Sequence, residues 1–98
     1  MEKFIGKHVI VRSHMAGVFF AILKEKNGQE LILQKARKFY RFDGANTVED
    51  LADKGSSNPV GCKLTVEIDE MIISEYVQML PCTKKAIDNI KKIKVWSR

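Results

Sequence analysis

Ten residues, Leu33 to Phe42 (LQKARKFYRF), hold four cations and three aromatic rings with no acid among them. Guanidinium and ammonium groups take phosphate oxygens, and a flat ring stacks on a base. The composition therefore suits a phosphate-bearing ligand with a planar group. In an extended strand, side-chain alternation puts Lys35, Arg37, Phe39 and Arg41 on one face and Ala36, Lys38, Tyr40 and Phe42 on the other. The first face is three cations around a ring. The second reads as core, with Lys38 snorkelling to water. The same stretch also fits a solvated strand face with Phe39 as a stray surface ring, and on its own it leaves both readings open. A second basic-aromatic cluster, KKIKVWSR, carries Lys91, Lys92, Lys94, Arg98 and the only tryptophan, Trp96. Two such clusters in one short chain strengthen the case for an anion site.

Catalytic chemistry has less support. His8 stands at a strand edge and His14 in a turn, and neither falls in a motif with a serine, cysteine or carboxylate. Glu67, Asp69, Glu70 and Glu75 cluster around one strand corner. Glu67 and Asp69, two apart, would share a strand face and could hold a cation or do acid-base work, but such a pair also suits the wet face of a sheet. No glycine-rich dinucleotide fingerprint, phosphate-binding P-loop, HExxH or GxSxG is present. Cys62 and Cys82 lie 20 residues apart without a CxxC, so neither zinc nor a disulfide is expected and both read as small buried hydrophobes. The expectation is a binding protein, with no enzyme activity, metal or cofactor.

The elements that must position these residues follow from patterning. The chain has 98 residues, 45% hydrophobic and 30% charged, with a net charge of +5, which suits one globular domain over residues 1–98 and anionic partners. No apolar run reaches the roughly 18 to 20 residues of a membrane helix, and the N-terminus lacks the pattern of a signal peptide, so a cytoplasmic protein is expected. HVIVR reads as a strand, SHMAG as a turn, and GVFFAILK as a strand apolar on both parities. Covering both of its faces calls for the C-terminal helix or another subunit. Asn27-Gly28 predicts a type I′ hairpin, followed by a long strand bent or broken near Ala36. Thr47 caps a short helix that buries Val48, Leu51 and Ala52 and ends at Gly55. CKLTVEID predicts a strand with Leu64, Val66 and Ile68 inward, and MIISEYVQML one further strand. Thr83 caps a last helix burying Ala86, Ile87, Ile90 and Ile93. The order β-β-β-α-β-β-α implies α+β class: a small, mostly antiparallel sheet with two short helices, in a chain small enough to gain from oligomerisation.

Nearly the whole chain, from HVIVRSHMAGV through KARKFYRFDGA to PCTKKAIDNIKKIKVW, resembles an uncharacterised family of small phage and prophage proteins. That family shows an AGV strand, an NG-E hairpin, an ARR-plus-aromatic segment followed by GA, and a late PCT-KA helix start ending in VW. In size and in its basic-aromatic β core the chain is also similar to phage anti-Thoeris sponges. These are oligomeric proteins that sequester cyclic ADP-ribose signals and, in some members, cyclic oligonucleotides. The resemblance implies stoichiometric capture without catalysis, in pockets where subunits meet, in the cytoplasm of an infected or lysogenic bacterial host. Ala36-Arg37-Lys38 stands where the family has ARR, and Phe39-Tyr40 where it has a tryptophan-containing aromatic pair. Arg12, before the AGV strand, is the other matching cation. Arg12, Arg37, Lys38, Phe39, Tyr40 and Arg41 are thus the expected ligand-binding residues, with Lys38 weakened by loss of the guanidinium fork. Two alternatives stand beside this reading: a small basic nucleic-acid-binding module, and a structural or host-interaction phage protein whose Phe19-Ala21-Leu23 face is purely an interface.

Overall fold

A computed structural model describes residues 2–14 and 16–96; Met15 of the expected turn and Arg98 of the terminal cluster lie outside the described residues. Three β-rich segments form an antiparallel meander of β1 (His8–Ser13), β2 (Gly17–Asn27) and β3 (Glu30–Arg41). At the β2–β3 hairpin Asn27 pairs with Glu30, so Gly28 and Gln29 are the central residues. Only Gly28 has positive φ (61°), the signature of a type II′ turn and not the expected type I′. The long third strand bends without breaking. Phe20 pairs with Arg37 but Ile22 with Gln34, so Ala21 faces both Lys35 and Ala36 across a β-bulge. Lys35 holds the left-handed conformation there, φ 50°. The bulge switches parity, and Leu31, Leu33 and Ala36 all enter one core cluster.

The two strands expected after the first helix are cut differently. They form β4 (Lys63–Leu64), β5 (Ile68–Ile73) and β6 (Gln78–Pro81). Between β4 and β5, Thr65 Oγ1 accepts the Lys38 N–H at 2.9 Å, so a side chain takes the place of a ladder rung and the chain peels from β3. Val66 and Ile68, expected inward, are consequently 56% and 41% exposed. A turn over residues 74–77 separates β5 from β6. The resulting six-stranded antiparallel sheet runs β4-β3-β2-β1-β6, with β5 pairing farther along β3. Met71 and Ile73 of β5 and Met79 of β6 come from opposite ends of the sheet. They pack into one cluster with Val9, Val11, Phe19, Ala21 and Leu33, so the sheet curls on itself. Phe19, Ala21 and Leu23 are at most 3% exposed. The face expected to be covered by the C-terminal helix or another subunit is closed by the curled sheet itself.

The helices cover the other face. Thr47 caps α1 (Val48–Lys54), accepting the Asp50 N–H at 3.1 Å, and Thr83 caps α2 (Lys84–Lys91), accepting the Ala86 N–H at 3.1 Å. Leu51 and Ile90 are fully buried against Ile10, Phe20, Phe39 and Leu64, each contributing roughly 1.5–3 kcal/mol through burial. Asn89 fastens the loop after α1: its Oδ1 accepts the Ser56 N–H and its Nδ2 donates to the Ser56 carbonyl, both at 2.8 Å. Among the described residues no helix is long and apolar enough to cross a membrane.

Candidate functional site

The expected ligand residues do not form one constellation. Phe39 is 5% exposed, lies under the helices and meets Phe42 edge-on at 5.8 Å. It is core and cannot stack on a base. Its parity was read correctly, but that face is the covered one at this end of the strand. Lys38 is half-buried on the opposite face, with its stem against Gly17. Arg12 lies in a separate groove of about 690 Å³ with Phe42, Thr47, Glu49, Val77 and Gln78. There Gln78 donates to the Glu49 carboxylate at 2.8 Å and is the main cause holding that carboxyl below its usual pKa, with Arg12 a minor one. Tyr40 and Arg41 are exposed at the far end of β3.

Arg37 is different. It is 7% exposed, where the chain peels away from β3. Its Nε donates to the Thr65 carbonyl at 3.3 Å, a long bond, and its buried Nη2 has no partner among the described residues. Burial lowers the guanidinium pKa from its ordinary value, with Glu67 opposing, and the group stays charged at neutral pH. Buried polar groups are ordinarily satisfied, so an orphaned guanidinium N–H calls for a physical reason.

Arg37 lines a cleft of about 370 Å³ with His8, Phe20, Ile22, Lys35, Glu67 and Lys91. Each arrives from a different cause. His8 shares the Ile10 face of β1 and stacks on Phe20 at 5.3 Å. The left-handed bulge brings Lys35 to this side. Lys91 is the last residue of α2, and Glu67 sits in the segment released by Thr65. The cleft therefore holds three fixed cations, one carboxylate, and a histidine whose pKa lies below its ordinary value. Burial is the main cause there, followed by Lys91 and Lys35, with Glu67 opposing. The walls of Phe20 and Ile22 are apolar. The volume of the cleft falls in the range of roughly 300–1,000 Å³ typical of small-molecule pockets, larger than a lone phosphate fills.

The sequence singles out Arg37 as a ligand residue and places Lys35 on its face without counting it among the ligand residues, and it does not connect His8, Phe20, Lys91 or Glu67 to them. The parity of HVIVR links His8 to the buried Ile10, which was the available signal. Nothing local links Lys91 to β3. The paired-carboxylate reading of Glu67 and Asp69 does not hold, because Glu67 lies outside any strand and Glu70, not Asp69, is ion-paired, with Lys24 at 2.8 Å. Among the described residues no three His, Cys, Asp or Glu side chains are placed to hold a metal ion. Cys62 is buried and Cys82 half-buried, both free, and burial pushes the Cys82 thiol up to about 12. A larger pocket of about 610 Å³ lies beside Ser56. Its buried Ser56 hydroxyl is satisfied internally, donating to the Asp43 carbonyl and accepting from the Asn58 N–H.

Residues 6–90 match the family model described as Domain of unknown function (DUF6948). No curated protein and no solved structure matches the chain.

Proposed function

The chain belongs to the DUF6948 family, and from that premise we propose that it is a non-enzymatic protein that binds and sequesters a small phosphate-bearing nucleotide in the Arg37 cleft. The observation that carries this reading is the buried guanidinium with an unpartnered Nη2 at a cleft shared with Lys35 and Lys91. A phosphate would supply the missing acceptor and be met by charge-assisted bonds, which are about twice as strong as neutral ones. The stacked His8 and Phe20 and the side chain of Ile22 offer a surface for the base or ribose. Cyclic ADP-ribose derivatives and cyclic oligonucleotides are the ligand classes in view, captured in the cytoplasm of a bacterial host under phage attack.

The test is isothermal titration of the protein against such a panel, followed by denaturation and mass measurement of the released ligand. Saturable, stoichiometric heat with the ligand recovered intact is expected, and Arg37→Met should abolish the heat. A panel without heat overturns the proposal. So does recovery of a cleaved ligand, since His8 and Glu67 would then be doing acid-base chemistry.

A further inference from the structure

The two basic-aromatic stretches meet a second time, away from the Arg37 cleft. The ladder steps from Phe39–Leu64 to Arg41–Lys63, which leaves Tyr40 as an unpaired extra residue at an irregularity in β3. The C-terminal segment lies along the other side of β4: Val95 bridges Leu64 in parallel and the Trp96 N–H donates to the Leu64 carbonyl at 2.8 Å. These backbone bonds bring Trp96 to Tyr40, and the rings stack 4.8 Å apart at 9°. Lys63 Nζ lies 4.9 Å from the centre of the Trp96 ring. A shallow groove of about 520 Å³ continues from Trp96 along Val95, Lys94, Lys92 and Val60. Among the described residues no carboxylate lines it. The nearest acid in sequence, Asp43, is tied to Asn58 Nδ2 at 3.1 Å.

We propose that this Tyr40–Trp96 platform, with Arg41, Lys63, Lys92 and Lys94, binds single-stranded nucleic acid. A stack serving only to fasten the C-terminal segment would be covered, yet Tyr40 is 63% and Trp96 36% exposed. Tyr40 and Lys63 occupy the Trp96 ring, so a further ring adds on the outer face of the exposed Tyr40, and bases on a single strand present such rings without sequence preference. The surrounding cations suit the phosphates that connect successive bases. A duplex keeps its bases stacked inside, out of reach of a surface ring. An acidic peptide would satisfy the lysines but leave the aromatic face unused.

Trp96 is the only tryptophan, so its emission reports directly on the platform. The full chain would be titrated with a twelve-residue oligothymidylate at low salt. Saturable quenching is expected, with affinity falling as salt rises at a log–log slope of about −2 to −3, from three or four phosphate contacts on a single strand. Tyr40→Leu keeps an apolar side chain at an exposed position but removes the ring, and should weaken binding roughly 5- to 150-fold; Tyr40→Phe should retain it. Lys63→Glu with Lys94→Glu should flatten the salt slope. Unchanged emission together with no binding by anisotropy overturns the proposal, as does Tyr40→Leu binding at parental affinity. Displacement of the oligonucleotide by polyglutamate of equal charge also overturns it, making the surface an acidic-peptide site.

Discussion

Replacing Arg37 by methionine separates a ligand-binding arginine from a structural one. In the free protein the guanidinium makes one long hydrogen bond, Nε to the Thr65 carbonyl at 3.3 Å, and leaves Nη2 buried without a partner. Losing that bond costs about 0.5–1.5 kcal/mol, and removing an unsatisfied buried N–H returns about 1–3 kcal/mol. Glu67 is exposed, so its attraction to Arg37 is screened and worth at most about 1 kcal/mol. Methionine keeps the apolar stem of the side chain. Arg37→Met should therefore change stability by no more than about 1.5 kcal/mol downward and up to about 2.5 kcal/mol upward, read as a urea midpoint shift at constant m. A structural arginine in a buried ion pair would instead lose about 3–5 kcal/mol. Ligand response should move the opposite way. A ligand at 100 times its Kd stabilises the parent by about 2.7 kcal/mol. If the lost charge-assisted contact weakens binding by about 3 kcal/mol, within the range for desolvated charge pairs, the same concentration stabilises the variant by only about 0.3 kcal/mol. A variant more than about 2 kcal/mol less stable than the parent, or one with undiminished ligand stabilisation, refutes the reasoning.

Three further outcomes follow from His8 and Asn89. His8 has a folded-state pKa below its ordinary value of 6.5, through burial and the charges of Lys91 and Lys35. Its stability contribution is thus fully present above about pH 6.5 and is lost as pH falls through the folded pKa, at no more than about 1.4 kcal/mol per pH unit. A bound phosphate would favour the imidazolium, so affinity for pyrophosphate or a nucleotide should rise as pH falls from about 7.5 to 5.5, and His8→Gln should flatten that dependence. An equal slope in the variant would show that His8 is not part of the site. Asn89→Ala removes both side-chain bonds to the Ser56 backbone, and Ser56 is only 3% exposed, so a loss of about 2–4 kcal/mol is expected by urea unfolding. A loss below about 0.5 kcal/mol would mean the loop is fastened by other contacts.

What the sequence revealed tracks how local the controlling interaction is. Thr47 and Thr83 were legible as helix caps because capping acts within one turn, and Val48, Leu51, Ala86 and Ile90 were legible as core because helical spacing is local. The α+β class followed from the same patterns. The division of the later strands was not legible. CKLTVEID alternates as a strand should, but the Thr65 hydroxyl takes a ladder N–H that only tertiary placement offers, and the pattern cannot announce that competition. The apolar second face of β2 was recognised. Its cover was not, because Met71, Ile73 and Met79 reach Phe19 and Leu33 only once the sheet has curled.

The candidate sites were half legible for one reason: alternation holds only between irregularities. Lys35, in a left-handed conformation that lysine rarely adopts, and Tyr40, the unpaired residue of a second irregularity, bracket the stretch over which strict parity applies. Within it, Arg37 and Phe39 do share a face, as expected. Helix cover ends between them, so one is core and the other stands at the edge of a cleft. Beyond it, Tyr40 stacks on Trp96 and Arg41 pairs with Lys63 of β4. The terminal cluster divides in parallel, with Lys91 at the end of α2 facing Arg37 and Trp96, carried past Leu64, meeting Tyr40. Each basic-aromatic stretch therefore contributes to both sites. A one-residue deletion at Lys35 would restore one-to-one pairing, with Phe20 still opposite Arg37 and Ile22 opposite Gln34, and would remove the Lys35 ammonium from the cleft, while the β4 pairing that holds Tyr40 against Trp96 lies on the far side of the bulge. The two sites are separable by the same backbone feature that brings the first of them together.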